Sequence, residues 1–249
     1  MTLLYIYAKI FWKFILLIRE VPVKSKIIDL YKEYGYFLYA LIVPAYIALF
    51  MILQSIITPD NVDYIVSYIP LDDMIPFCEW FILPYMMWYP FLLGIGFYLM
   101  FTDPDTFRRY LLYIATAFCT YVLISFIIPN GQNLRVDIDA LGRKNFALEM
   151  LRGIYTVDPN TNVCPSPHVV GSIGVAFATF STPRVKNIGV KVYTVIMAIL
   201  ISISTVFVKQ HSLLDILVAI PYSIIFYYIC FKLVRFKKSY EPVIKPKKR

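Results

Sequence analysis

Apolar residues run in long blocks along this chain, broken by short polar stretches, and block length decides the class of fold. Six blocks, at roughly 36–57, 78–101, 110–129, 168–183, 192–208 and 212–234, approach the roughly 20 residues needed to cross about 30 Å of hydrocarbon. The fourth is the shortest, about 16 residues, and starts directly after Pro167. Only Lys209, Gln210 and His211 separate the fifth from the sixth. The pattern predicts an all-α fold, a polytopic membrane six-helix bundle.

A different pattern precedes the first block. Within residues 3–18, Lys9 and Lys13 are four apart and share one helical face, while Phe11, Phe14, Ile15 and Ile18 line another. That arrangement predicts an amphipathic helix lying in the membrane surface. An additional, kinked span is the competing reading. Residues 1–34 are therefore taken as surface helix and linker, 35–234 as the membrane catalytic domain, and 235–249 as a basic tail. No small-residue cleavage pattern marks a signal peptide.

Composition agrees with a membrane protein and excludes an ordinary soluble domain. Of 249 residues, 59% are hydrophobic and 16% charged, with a mean hydropathy of +0.67, whereas soluble chains carry about a quarter charged residues. The net charge of +8 does not read as a nucleic-acid surface, because its distribution follows the spans. If the chain crosses six times, 19 Lys and Arg residues fall on one side and 5 on the other. Positive residues favour the cytoplasm, so both termini are expected there, with the 129–167 loop and the 209–211 hairpin on the outer face of a cell membrane. The tail from Arg235 to Arg249 reads as an anchor to anionic lipid. Cys78, Cys119, Cys164 and Cys230 form neither a disulfide framework nor zinc spacing. Gly171 and Gly174 read as points of close helix contact, Trp80 and Trp88 as interfacial anchors. Asp60, Asp63, Asp72, Asp73 and Glu79 read as a solvated acidic loop able to pair with Arg143 or Lys144.

The candidate chemistry lies in the two histidines of the chain, His168 and His211. Ionisable groups at the ends of membrane spans are expensive and usually functional. His211 and Asp215 are four apart, so on a helix they share a face, and the carboxylate can fix the imidazole tautomer and leave one nitrogen free to attack. In Pro165-Ser166-Pro167-His168, Ser166 is a favoured N-cap type and Pro167 suits the first helical position. The fourth span is expected to start there and point free backbone N–H groups outward, an arrangement that accepts phosphate.

These residues resemble the type 2 phosphatidic acid phosphatase superfamily. That family carries Lys-x6-Arg-Pro, then Pro-Ser-Gly-His, then Ser-Arg-x5-His-x3-Asp. The second block stands here as Pro165-Ser166-Pro167-His168, with proline in place of glycine. The third stands as Ser204-Thr205, five residues, His211, three residues, Asp215, with Thr205 in place of arginine. For the first block, Arg135 matches, while Ile128 and Val136 replace the lysine and the proline. The altered cations are more similar to the branch containing inositol phosphorylceramide synthase and sphingomyelin synthase.

The resemblance implies a membrane lipid-phosphate phosphatase acting through a phosphohistidine, with no metal and no cofactor. His211 is the implied nucleophile, His168 the acid and Asp215 the orienting group. Arg135, Ser166 and Lys209 are the candidate phosphate-binding residues, Lys209 standing in for a missing cradle cation. The alternative is a lipid phosphotransferase that moves a phospho-head group to an alcohol acceptor. The expected partners are a lipid phosphate and the bilayer. A transporter using the histidines as a proton relay would show internal repeats, and none is visible.

Overall fold

The computed structural model describes residues 33–237 and 239–245. The amphipathic segment expected at 3–18 lies outside the described residues. Tyr39–Arg249 forms one compact unit, and the account below concerns that unit.

The described chain is mainly helical, with almost no strand. Five helices are long and apolar enough to cross a membrane, so this is a multi-pass membrane protein: α1 (Gly35–Ile56), α2 (Glu79–Thr102), α3 (Pro104–Ile127), α6 (Ile188–Phe207) and α7 (Leu213–Leu233). Between them lie α4 (Phe146–Val157) and α5 (Pro167–Ser181). Helix α5 occupies the fourth apolar block, but its 15 residues reach only about 22 Å at 1.5 Å per residue. Two residues of parallel strand, β1 (Ile65–Val66) and β2 (Asn130–Gly131), tie the first and second long connections together.

Local chemistry sets the helix starts. Asp103 caps α3, its carboxylate accepting from Thr106 N at 3.1 Å, with Pro104 at the first helical position. The same carboxylate accepts from Thr182 Oγ1 at 2.7 Å, which ties the end of α5 to the start of α3. Asn145 caps α4 through Leu148 N at 2.9 Å, and Asn187 caps α6 through Gly189 N at 2.7 Å. At the end of α7, Arg109 donates to the carbonyls of Cys230, Phe231 and Val234. A cation placed there satisfies orphan carbonyls and complements the negative end of the helix dipole.

Helix α4 interrupts a stretch read from the sequence as loop. Its Ala147, Leu148 and Leu151 pack with Ile82, Tyr85, Ile138 and Val208, so it roofs the ends of α2 and α6. Beneath it, α5 is the central helix, packed against α2, α3, α6 and α7. The close approach expected at Gly171 and Gly174 is present. A Cβ on Gly174 would lie 2.9 Å from Tyr113 Cδ1, and one on Gly171 would lie 2.8 Å from Trp88 Nε1. Tyr113 is wholly buried and donates to Val170 O at 2.9 Å, so its ring has nowhere to retreat.

Gly174→Ala therefore overpacks the α3–α5 contact and should destabilise the protein by roughly 1–3 kcal/mol. Gly153, within α4, has open space where a Cβ would stand, and Gly153→Ala should stabilise by about 0.4–1 kcal/mol. Thermal unfolding in detergent measures both, and equal shifts of the same sign would contradict this packing.

Candidate active site

The site is assembled by the turn between α6 and α7. The carbonyl of Thr205 accepts from Gln210 N at 2.9 Å and His211 N at 3.2 Å. Lys209 holds a left-handed φ of 55°, which reverses the chain within three residues. Ser212 then caps α7, and Asp215 completes a reciprocal capping box by accepting from Ser212 N at 2.9 Å. His211 is thus fixed immediately before a capped helix.

A buried carboxylate from the first long connection clamps this turn. Asp72, 1% exposed, accepts from Leu213 N at 2.7 Å, Ser212 Oγ at 2.6 Å and Ile69 N at 2.9 Å. Lys209 Nζ reaches back to the carbonyls of Asp72 at 2.9 Å and Ile75 at 2.6 Å. The sequence reading placed Asp72 in a solvated loop. The structure buries it because the N-terminus of α7 offers donors and positive dipole to a carboxylate. Glu79 does pair with Arg143, at 2.7 Å.

The three residues expected to carry chemistry lie together. His211 Nδ1 is 3.2 Å from Asp215 Oδ2. Ser67 Oγ donates to the other oxygen of this fully buried carboxylate. With Asp215 as acceptor, Nδ1 carries the proton and Nε2 presents its lone pair. The Asp215 carbonyl accepts from Ser166 N at 3.3 Å, which docks the start of α5 against the start of α7. His168, in the first turn of α5, consequently stands with its ring centroid 5.7 Å from that of His211. Tyr85 and Trp88 hold its ring, at centroid distances of 4.3 and 4.6 Å. Trp88, read from the sequence as an interfacial anchor, is thus a wall of the site.

Three orphaned atoms mark a place for a ligand. Neither ring nitrogen of His168 has a hydrogen-bond partner, and neither does Ser166 Oγ, although both residues are buried. Ser166 occupies the N-cap position of α5 without making a side-chain cap, so the first-turn amides there are unused by it. Buried polar groups are normally satisfied; a cluster of unsatisfied ones beside two imidazoles fits an anion with several acceptor oxygens.

The two candidate cations direct their donors elsewhere. Arg135 donates to Gln210 Oε1 at 2.6 and 2.9 Å, to Tyr155 O at 3.0 Å and to Asp158 O, and stacks on the Tyr155 ring. Those carbonyls belong to the last turn of α4 and the residue that follows it. Burial lowers the Arg135 pKa, against the opposing pull of Asp158. Burial also lowers the pKa of Lys209, opposed by Asp72 and Asp73. Of the six residues singled out from the sequence, His168 and His211 line the adjacent cavity, whose volume is about 650 Å³.

Asp158 and Gln210 line the same cavity, and sequence reasoning passed over both. Asp158 follows α4 and accepts from Gln54 Nε2 at 3.1 Å, Tyr85 OH at 3.3 Å and Gln210 Nε2 at 3.3 Å. Burial raises its pKa, while His211 and Arg135 pull it back. The readable signal for Gln210 was its place between Lys209 and His211. Asp158, in a Val-Asp-Pro-Asn stretch, carries a composition typical of turns and gave no signal.

No family model, no curated protein and no solved structure matches the chain.

Because its folded-state pKa is raised, Asp158 binds its proton more tightly folded than unfolded. Its contribution to stability is full below the usual carboxylate range and is lost as pH rises through the raised value. Asp158→Asn should therefore flatten the fall in melting temperature from acid toward neutral pH. Parallel wild-type and variant melting profiles across that window would contradict the assignment.

Proposed function

We propose that this chain is a six-span membrane enzyme that hydrolyses a lipid phosphate through a phosphohistidine, with its site at the outer face. One observation carries the reading: two buried imidazoles from α5 and the α6–α7 turn stand 5.7 Å apart, one oriented by a carboxylate and the other with both nitrogens unengaged. The His211-x3-Asp215 spacing, and the Pro-Ser-Pro-His start of α5, support it through the resemblance drawn from the sequence.

In this mechanism His211 Nε2 attacks phosphorus, and the bond from phosphorus to the leaving oxygen breaks as the N–P bond forms. His168 gives its proton to the departing oxygen. Water then attacks the phosphohistidine, the N–P bond breaks, and His168 recovers a proton from that water. Asp215 keeps the His211 tautomer and stabilises the charge that builds on its ring. Ser166 Oγ and the first-turn amides of α5 bind phosphoryl oxygens, where preorganised donors are most effective.

A second reading is transfer of a phospho-head group to an alcohol, and the engagement of Arg135 and Lys209 favours it. A phosphomonoester brings up to two negative charges, whereas a phosphodiester brings one and needs less neutralisation from a site whose cations are committed elsewhere. Purified protein given a lipid phosphate without acceptor separates the two: inorganic phosphate release supports hydrolysis, and strict acceptor dependence supports transfer.

His211→Ala should abolish both turnover and the acid-labile phosphoenzyme trapped by rapid quench. His168→Ala should lower turnover by about 10²–10⁴-fold. Unchanged turnover in the His211 variant would remove the enzyme assignment.

A further inference from the structure

The cavity that reaches the two imidazoles does not end beside them. It continues along the bundle between α1, α2 and α3, where its walls include Ile47 and Phe50 of α1, Gly96 and Met100 of α2, and Phe107 and Leu111 of α3. Five of its polar groups, His168, His211, Asp158, Gln210 and Gln54, meet at one end; the far end is lined mainly by apolar side chains such as Ile47, Phe97, Met100 and Leu111. On α2 the lining runs from Trp88, packed against His168, to Met100, which at 1.5 Å per residue is a depth of roughly 18 Å. That exceeds half of a hydrocarbon core about 30 Å thick. The volume of about 650 Å³ lies within the roughly 300–1,000 Å³ of sites that enclose one ligand of moderate size.

We infer that this slot takes one linear hydrocarbon chain of the substrate, with its phosphate at the imidazole pair, and that the slot selects chain length. The inference rests on the lipid-phosphate reading and adds to it a substrate class: a phosphate carried at the end of a long, unbranched apolar chain. Contact with a chain drawn out of bulk lipid positions the phosphorus at a fixed depth, so a chain too long for the slot lifts the phosphate away from His211. A lipid whose chains stay in the bilayer would feel no such limit.

Gly96 is the residue that keeps the slot open midway. A Cβ there would meet Tyr110 at an ordinary 3.7 Å, so a larger side chain fits the backbone and projects into the space a chain would use. It lies eight residues beyond Trp88, roughly 12 Å down the slot. Gly94, two residues earlier on the same helix, has open space where its Cβ would stand and is no part of the lining.

The experiment compares Gly96→Phe with Gly94→Phe and wild type, in detergent micelles, on a series of linear alkyl phosphates of increasing chain length. Gly96→Phe should lower the long-chain to short-chain ratio of kcat/KM by at least about tenfold, the worth of roughly two buried methylenes, and Gly94→Phe should leave that ratio as in wild type. A parallel arm reads binding without turnover: a long-chain alkyl phosphonate brominated near its phosphonate end should quench the fluorescence of Trp88, which stands beside His168, with Trp88→Phe as the control, and Gly96→Phe should weaken that quenching. Equal chain-length profiles in all three proteins would overturn the slot while leaving the phosphatase reading intact. Saturable quenching without turnover of any alkyl phosphate would leave the slot standing and remove the phosphatase. Absence of both Trp88 quenching and a Gly96 effect on turnover would overturn the inference.

Discussion

The carboxylate of Asp215 is the point on which the site depends. Fully buried, it accepts from His211, from the amide of Ser212 and from the hydroxyl of Ser67, while its own backbone carbonyl accepts from Ser166. Three segments distant in sequence, the connection at Ser67, the head of α5 at Ser166 and the turn that opens α7, therefore meet at one residue. A buried charge is tolerable only when its oxygens are well supplied with donors, and here the donors are the parts that must be brought together. The geometry of the two imidazoles follows from satisfying one acid.

Polar residues around this centre divide their labour. Asp72 and Lys209 hold the turn that carries His211, and Arg135 holds the end of α4 and Gln210. Each spends its donors or acceptors on protein groups, which suits a place where water is scarce and unsatisfied backbone is costly. Among the described residues, the buried polar atoms left unsatisfied include both ring nitrogens of His168 and Ser166 Oγ at the head of α5, beside the cavity, and the Trp88 indole in its wall. A rigid, satisfied frame around a small unsatisfied centre is what preorganised phosphate chemistry requires. In the proposed mechanism the N-terminus of α5, rather than a cluster of cations, supplies the positive potential.

Much of this was legible in the sequence, for physical reasons. Lipid imposes length, so the apolar blocks located five spanning helices and the short α5 to within a few residues, apart from a start of α3 six residues earlier than read. Ser166-Pro167 marked the start of α5 because proline suits a first helical turn. Four-residue spacing pointed to a His211–Asp215 pair on one helical face; the pair forms at 3.2 Å, but His211 precedes the N-cap Ser212, so the capping turn rather than the helical repeat brings the two together. Other features could not be read. Helix α4 buries only Ala147, Leu148 and Leu151, against protein rather than lipid, so its pattern gave no block. Asp72 lies 140 residues from the Ser212 it binds, and no local pattern announces such a partner. Arg135 and Lys209 were legible as cations near the site, but the acceptors that occupy them depend on the fold of α4 and the first connection.

The central claim is that His168 and His211 share one phosphorus atom, and a structure determined with orthovanadate tests it most directly. The account predicts vanadium bonded to His211 Nε2, with one vanadate oxygen within hydrogen-bond reach of a His168 ring nitrogen and others facing Ser166 and the first amides of α5. Vanadate bound away from these rings, or rings well over about 10 Å apart with no room for a shared anion, would contradict it.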